Sequence, residues 1–421
     1  MPPHPAPREE AEPSGRRLQA KRAVWASLRP PPGPFRDGFF RSPIRGPVLT
    51  SILGTILLVG VSIVALTGFL SHIAYMPDLP GNAIVPADRD FPLTFGWPTS
   101  PSWLYALNQG LHTNVGLMVI PFLLAKLWSV FPKLFKWPPV TGPADAIERL
   151  SLALLVSSSI FQLATGVANA QYWYPFKFNF VVAHYYGAIV FVASLAIHVI
   201  IKLPMVLRVY KDREWIKPIR EDLDEPTISR RGVIAFAGAG ALTLLLGNVG
   251  QSIGGPLRKT ALFAPRRDNG FPVNKTARAA GITPAMTGPD YQLVLRAGDR
   301  VTSFTREDLL ALPQHTATLP IACVEGWSTT QEWTGVKLSE LARRAGAPGA
   351  SEVLVESLQA AGVLRRASLS ADQIAADDSM LALKVNGEDL SPDHGYPARV
   401  IVPALPGVHN TKWVGEMTFT A

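Results

Sequence analysis

Cys323 is the one cysteine of this 421-residue chain. A single thiol cannot close a disulfide within its chain, build a Cys-rich zinc site or hold an iron–sulfur cluster. It can lie buried as a small apolar residue, or ligate a soft metal as a thiolate. A second set of residues with chemistry is histidine. Four of the eight, His72, His112, His184 and His198, fall in or beside long apolar stretches. An ionisable side chain in such a stretch is costly and usually functional, although a lone histidine there also serves as a helix–helix hydrogen bonder. Spacing favours ligation. His184 and His198 are 14 residues apart, almost four helical turns, so both point to nearly the same face. The rise is about 21 Å, as expected of two stacked ligand positions, one near each membrane surface.

The elements that must carry these residues are legible from charge. The chain is 48% hydrophobic and 17% charged, against roughly 25% for soluble domains. Apolar runs almost without charge cover Val48–Ser71, the stretch between Asp90 and Lys126 with its apolar part from about His112, Leu150–Ala170, about Phe180–Val206, broken only by Lys202, and Gly232–Ile253. Each is long enough to cross about 30 Å of hydrocarbon as a helix. The net charge of +8 is confined largely to the tail and to two loops, which argues against nucleic acid as partner and for membrane lipid. The tail holds nine Lys/Arg. Lys133, Lys136 and Arg149 follow the second span, and Arg208, Lys211, Arg213, Lys217, Arg220, Arg230 and Arg231 follow the fourth. The opposite loops hold only Arg89 and Lys177. The positive-inside rule then predicts a cytoplasmic N-terminus and, after five spans, an extracytoplasmic C-terminal domain in a multi-pass cell-membrane protein.

The expected organisation is a disordered cytoplasmic tail over 1–47 and a four-helix membrane domain over 48–207. A cytoplasmic loop over 208–231, a fifth transmembrane helix over 232–253, a linker over 254–290 and a mixed α/β domain over 291–421 follow. YQLVLRAG, RVTSF, SEVLVESL and ARVIVPAL read as strands, and KLSELARRAGA as an amphipathic helix with a glycine stop. Arg230–Arg231 before the fifth run resembles a twin-arginine signal, although these arginines equally obey the positive-inside rule.

The helical part resembles the membrane-bound b-type cytochromes, with the gamma subunits of formate dehydrogenase and nickel–iron hydrogenase nearest in type. The shared features are a four-helix bundle, a histidine early in the second helix, two histidines 14 apart on the fourth, and Thr67-Gly68-Phe69 near the end of the first. The resemblance covers about 44–208. It implies one haem b ligated by His112 and His184. The family's second haem takes a ligand from the cytoplasmic end of helix one, and no histidine lies between Phe35 and Leu70 here. His198 therefore has no expected partner and is open to being a vestigial or unconventional haem ligand or part of a quinone site. His72 is open to three roles: bonding a haem propionate, lining a quinone pocket, or replacing a haem ligand.

The C-terminal part resembles the sulfite oxidase family, which includes the catalytic subunits of periplasmic methionine sulfoxide reductases. IACVEGWSTTQEWTGVKLSEL, around Cys323, is similar to the family's molybdenum-ligand segment. VNGEDLSPDHGYPARVIVPALPGVHNTKWVGEM repeats its NG-x-x-L, HG-x-P-x-R, V-x-P and G-x-x-x-x-KW pieces in order. The resemblance implies that Cys323 ligates molybdenum and that His394, Arg399, His409, Asn410 and Lys412 bind the molybdopterin, in its mononucleotide-free form. Trp327 and Trp333 either wall the site or pack. Arg365 and Arg366 either reach an anionic substrate or end a solvated strand.

Together these features imply a sulfite-oxidase-fold molybdopterin domain carried by a cytochrome b bundle. The expected activity is oxygen-atom transfer to or from a small molecule, with electrons exchanged through haem b with quinone. Sulfoxide reduction and sulfite oxidation are the two expected types. The alternatives are a haem-bearing membrane electron carrier or sensor with a non-catalytic outer domain, and a molybdenum enzyme whose bundle is an anchor without haem. Substrate, direction and oligomeric state are not written in the residues.

Overall fold

A computed structural model describes residues 29–36, 39–40, 42, 44–85, 93–138, 140, 142–215, 228–267, 270–362 and 365–420. Residues 1–28 of the tail, Arg89, and Lys217 and Arg220 of the 208–231 loop lie outside the described residues.

Five long helical stretches have the length and composition to cross a membrane. They are α1 (Pro47–Ala74), α2 (Leu104–Val130), α3 (Pro143–Ala170), α4 (Phe180–Lys211) and α5 (Arg230–Leu246), which α6 (Val249–Ile253) extends. Leu, Ile, Val and Ala dominate them, and apolar residues such as Val59, Leu66, Ile200 and Phe236 are exposed. Only 6% of the most apolar window of α4 is buried, a surface that suits lipid. α2 starts at Leu104, earlier than its apolar run suggests. Its first turns carry Asn108 and Gln109, both buried with partners; Asn108 Nδ2 donates to the Thr67 carbonyl at 2.9 Å. α5 packs through small residues. Ala237 and Ala241 are buried, and a Cβ at Gly240 would stand 3.3 Å from Pro121 of α2. Small residues are what let membrane helices approach closely.

The chain forms two compact units. The first takes the chain up to Thr55, Leu123–Ser158 and Val190–Ala235. There Lys202 pairs with Glu148, Lys126 donates to the Thr50 carbonyl, and Thr50 and Ser129 share a hydroxyl hydrogen bond of 3.4 Å. The second takes Ile56–Phe122, Ser159–Ile189 and Phe236–Ala421.

The second unit contains two five-stranded sheets. One runs β2 (Arg300–Thr305), β1 (Gln292–Ala297), β10 (Val414–Thr420), β5 (Glu352–Ser357), β6 (Arg366–Ser370). Its β1–β10 pair is parallel, with Leu295 opposite Met417, and the other neighbours are antiparallel. The other sheet runs β3 (His315–Ala322), β4 (Ser328–Lys337), β7 (Met380–Val385), β8 (Glu388–Asp389), with β9 (Arg399–Ile401) paired to β7. α7 (Arg306–Ala311) opens with a Thr305–Asp308 capping box, and α8 (Leu338–Ala345) ends at Gly346 in the left-handed region, as capping chemistry requires. The fold is thus five long apolar helices followed by a mixed α/β domain. Leu293, Val353, Leu381 and Val414 of the sheets share one hydrophobic core with Ile73, Ala74 and Tyr105 of the helices.

Candidate functional site

Cys323 sits at the tip of the β3–β4 hairpin. Its N–H donates to the Trp327 carbonyl at 2.9 Å, and Gly326 N–H donates to the Cys323 carbonyl at 2.9 Å. Gly326 has φ +97°, and a Cβ there would stand 2.9 Å from Thr113 Oγ1, so only glycine fits. The Cys323 thiol is buried and lies 3.3 Å from Glu325 Oε2, which also accepts from Trp327 Nε1 at 2.8 Å. Burial and the Glu325 carboxylate push the thiol well above its ordinary pKa. A thiol in this state is inert towards electrophiles. A bound cation would reverse that by displacing its proton.

Cys323 lines a small cleft together with His394, Arg399 and Lys412. β9 brings Arg399, and the turn before it brings His394. His394 Nδ1 meets Ser391 Oγ at 2.8 Å, Nε2 meets the Phe271 carbonyl at 3.2 Å, and its ring stacks on Phe271 at 3.6 Å. Arg399 is 6% exposed and donates to the His394 carbonyl at 3.2 Å, while its Nε meets no partner among the described residues. Lys412 Nζ donates to the carbonyls of Asp393, at 3.0 Å, and Lys275. Burial lowers Arg399 to about 9. Burial and the Arg399 charge lower Lys412 to about 7.

Behind the cleft, His409 and Asn410 are each 2% exposed. Among the described residues Asn410 Nδ2 and Thr411 Oγ1 meet no hydrogen-bond partner, while the Tyr75 backbone faces the His409 ring. Burial lowers His409 to about 4. Buried polar groups without partners are costly. Two buried cations and several unsatisfied polar atoms, set around a thiol, fit an anionic, hydrogen-bonding ligand that brings a metal. The pterin dithiolene phosphate of molybdopterin has that chemistry. Trp327 lines the cleft, whereas Trp333 is fully buried and packs. Arg365 is held by Glu356 at 2.8 Å, and both Arg365 and Arg366 line a different groove.

Among the helices the structure brings two histidines together. The rings of His112 (α2) and His184 (α4) have centroids 6.1 Å apart at 84°. His112 Nδ1 lies 3.0 Å from the Val64 carbonyl and 3.3 Å from Thr67 Oγ1. His184 Nδ1 lies 2.8 Å from Thr165 Oγ1. A glycine follows each threonine: a Cβ at Gly68 would stand 2.8 Å from His112 Cε1, and one at Gly166 3.5 Å from His184 Cε1. Holding Nδ1 fixes each ring and leaves Nε2 for a metal. Two metal–nitrogen bonds of about 2 Å plus the half-rings give roughly 6 Å between centroids, a separation of the same size as the one seen here. His72 stacks at 3.7 Å on Tyr185, the residue after His184. His198 is half-buried in the first unit, which holds no other histidine among the described residues.

Some contributors carry no motif. Phe271, in the segment expected to be a linker, walls the cleft. Glu325, inside the quoted Cys323 segment but given no role there, lies against the thiol. Thr165-Gly166 repeats Thr67-Gly68, a signal that a comparison of the odd-numbered spans would have found.

Residues 280–421 match the family described as oxidoreductase molybdopterin binding domain. The chain is 32% identical over 115 residues to the uncharacterized oxidoreductase YuiH of Bacillus subtilis, covering 27% of this chain and 57% of that protein. It is 29% identical over 156 residues to mitochondrial sulfite oxidase of Drosophila melanogaster, covering 31% and 27%. It is 37% identical over 98 residues to nitrate reductase [NAD(P)H] of Hordeum vulgare, covering 21% and 11%. The sulfane dehydrogenase SoxCD structure from Paracoccus pantotrophus aligns at 31% identity and TM-score 0.29, covering 31% of this chain and 38% of that one. The chain thus spans little more than half of YuiH and about a quarter or less of the other two relatives. Residues 280–421 thus match a molybdopterin-binding oxidoreductase domain and are similar to sulfite oxidases, and five long apolar helices precede them.

Proposed function

We propose that the chain is a membrane-anchored molybdenum oxidoreductase with an extracytoplasmic active site and a cytoplasmic N-terminus. It exchanges electrons with the quinone pool through a haem b held by His112 and His184. The observation that carries the electron path is the imidazole pair, centred 6.1 Å apart with both Nδ1 atoms held. That pair belongs to the same compact unit as Cys323. The loop charges support the orientation.

When bound, the molybdenum cofactor supplies a metal that changes oxidation state as an oxygen atom moves to or from substrate. The chain's own residues do the rest. Cys323 presents Sγ at a hairpin tip as the protein ligand, and Trp327 fixes the Glu325 carboxylate beside it. His394, Arg399 and Lys412 neutralise and orient the anionic end of the cofactor. The sulfite oxidase relatives support a small sulfur oxo-compound as substrate, and the methionine sulfoxide reductase resemblance favours reduction of a sulfoxide over oxidation of sulfite.

The test is Cys323→Ala in the full chain, purified in detergent. It should lose molybdenum and oxygen-atom transfer, assayed with a sulfoxide and reduced dye and with sulfite and oxidising dye, while keeping its haem band. A variant that kept both metal and activity would overturn the assignment.

A further inference from the structure

The loop that carries Cys323 is held largely from the helices. Three alternate carbonyls of the loop, at Val324, Gly326 and Ser328, each accept a hydrogen bond from outside the sheets. Gln109 Nε2 of α2 reaches Val324 O at 2.7 Å, and Asn169 Nδ2 of α3 reaches the same oxygen at a longer 3.5 Å. Ser252 Oγ of α6 reaches Gly326 O at 2.7 Å. Arg258 donates to Ser328 O. Ser252 is itself tied to α2, accepting from Asn114 Nδ2 at 2.9 Å.

Gln109 differs from the other two in what it connects. It is 3% exposed and bonded at both ends of its amide. Ser71 Oγ donates to Gln109 Oε1 at 3.0 Å, and Ser71 shares a 3.2 Å hydrogen bond with the Tyr105 hydroxyl. That network fixes the amide, because a flip would set its oxygen against the Val324 carbonyl. Val324 is the residue after Cys323. Gln109 lies three residues before His112, on the same face of the same helix. The connection from Cys323 to His112 is therefore one peptide unit, one hydrogen bond, one side chain and one helical turn. Thr113 also approaches the loop at Gly326, but that approach is van der Waals contact, across which electronic coupling decays faster than along bonds.

We infer that Gln109 is the bridge through which electrons pass between the Cys323 site and the His112–His184 site. This rests on the proposed function above. In oxidation, X and H2O give XO, two protons and two electrons. The electrons cross singly and, with two protons, convert quinone to quinol. In reduction the same balance runs backwards. Gln109 takes part in no bond change. It positions the Val324 carbonyl and couples the two sites.

The experiment uses the full detergent-purified chain, with electrons injected by a photoreduced flavin and their redistribution followed at the haem band. Gln109→Leu preserves bulk and removes the hydrogen bond. It should keep molybdenum content, the metal's paramagnetic signal and the haem spectrum, yet slow internal electron exchange severalfold. Ser252→Ala removes a different bond to the same loop and should leave the exchange rate near wild type. The inference is overturned if Gln109→Leu exchanges electrons at the wild-type rate. It is equally overturned if that variant loses or alters the metal signal, or if both variants slow alike, since Gln109 then only shapes the loop. A wild-type protein without a haem band would instead sink the functional reading, and the bridge with it.

Discussion

The two candidate sites are prepared for their groups in opposite ways. Among the helices, His112 and His184 each have Nδ1 held by a threonine hydroxyl, with a carbonyl added at His112. In the cleft, Arg399 and Lys412 are buried near each other, and Arg399 Nε and, outside the cleft lining, Asn410 Nδ2 meet no partner among the described residues. At the helical site each Nδ1 is held before anything binds. The cleft carries a cost that an anionic ligand would remove, so binding there should stabilise the fold more. A hydrocarbon environment explains the first arrangement, because it offers no water to unsatisfied groups. A cofactor large enough to reach many donors at once explains the second.

The largest expected effect separates histidines that share a helix. His184→Ala or His112→Ala should abolish the reduced-minus-oxidised haem band, whereas His198→Ala should leave it in place. Loss of the band in His198→Ala alone would reverse the assignment. Next in size is Gly68→Val, which drives side-chain atoms towards His112 from 2.8 Å and should remove most of the haem. Gly166→Ala, with ordinary contact at 3.5 Å, should spare it. Equal haem retention in the two would show that the small residues do not shape the pair.

The cleft is tested by pH. Lys412 is lowered to about 7 in the fold, against roughly 10.4 in an unfolded chain. Between those values the unfolded state binds more protons, so the stability of cofactor-free protein should rise with pH from about 7 towards 10. His409, lowered to about 4, adds the same sign on the acid side: stability falls as pH drops from about 6.5 to 4. Thermal melts of cofactor-free Lys412→Met should flatten between about pH 7 and 9, above which Arg399, lowered to about 9, still adds stability, and should keep the acid limb. Melts that are flat from pH 7 to 10 in the wild type would contradict a buried, uncompensated lysine. The smallest effect is electronic. Thr165→Val removes the acceptor at His184 Nδ1, makes the imidazole a weaker donor to the metal, and should raise the haem midpoint potential by roughly tens of millivolts. An unchanged potential would make Thr165 a packing residue.

The sequence exposed these sites unequally, for physical reasons. Cys323, His394, Arg399 and Lys412 stood out in the sequence through the motifs of a family resemblance, and the fold brings all four to one cleft. His112 and His184 were legible as costly residues in apolar runs. The periodicity that put His184 and His198 on one face could not say which would meet a partner, since that depends on what α2 brings opposite. Phe271 was hidden in a Gly/Pro-rich stretch with no period, though it stacks on His394. Gln109 looked like an ordinary polar residue near a span's start, because its meaning lies in a carbonyl 215 positions away. The five apolar runs appear as five long helices, with ends extended wherever buried polar residues such as Asn108 find partners.

The most direct measurement is a count of molybdenum and haem on the detergent-purified full chain, by metal analysis and a reduced-minus-oxidised spectrum of the same sample. The expected result is one molybdenum and one b-type haem per chain. Molybdenum without a haem band would reduce the helices to an anchor, and haem without molybdenum would leave an electron carrier whose cleft does no chemistry; either would contradict a fused redox enzyme.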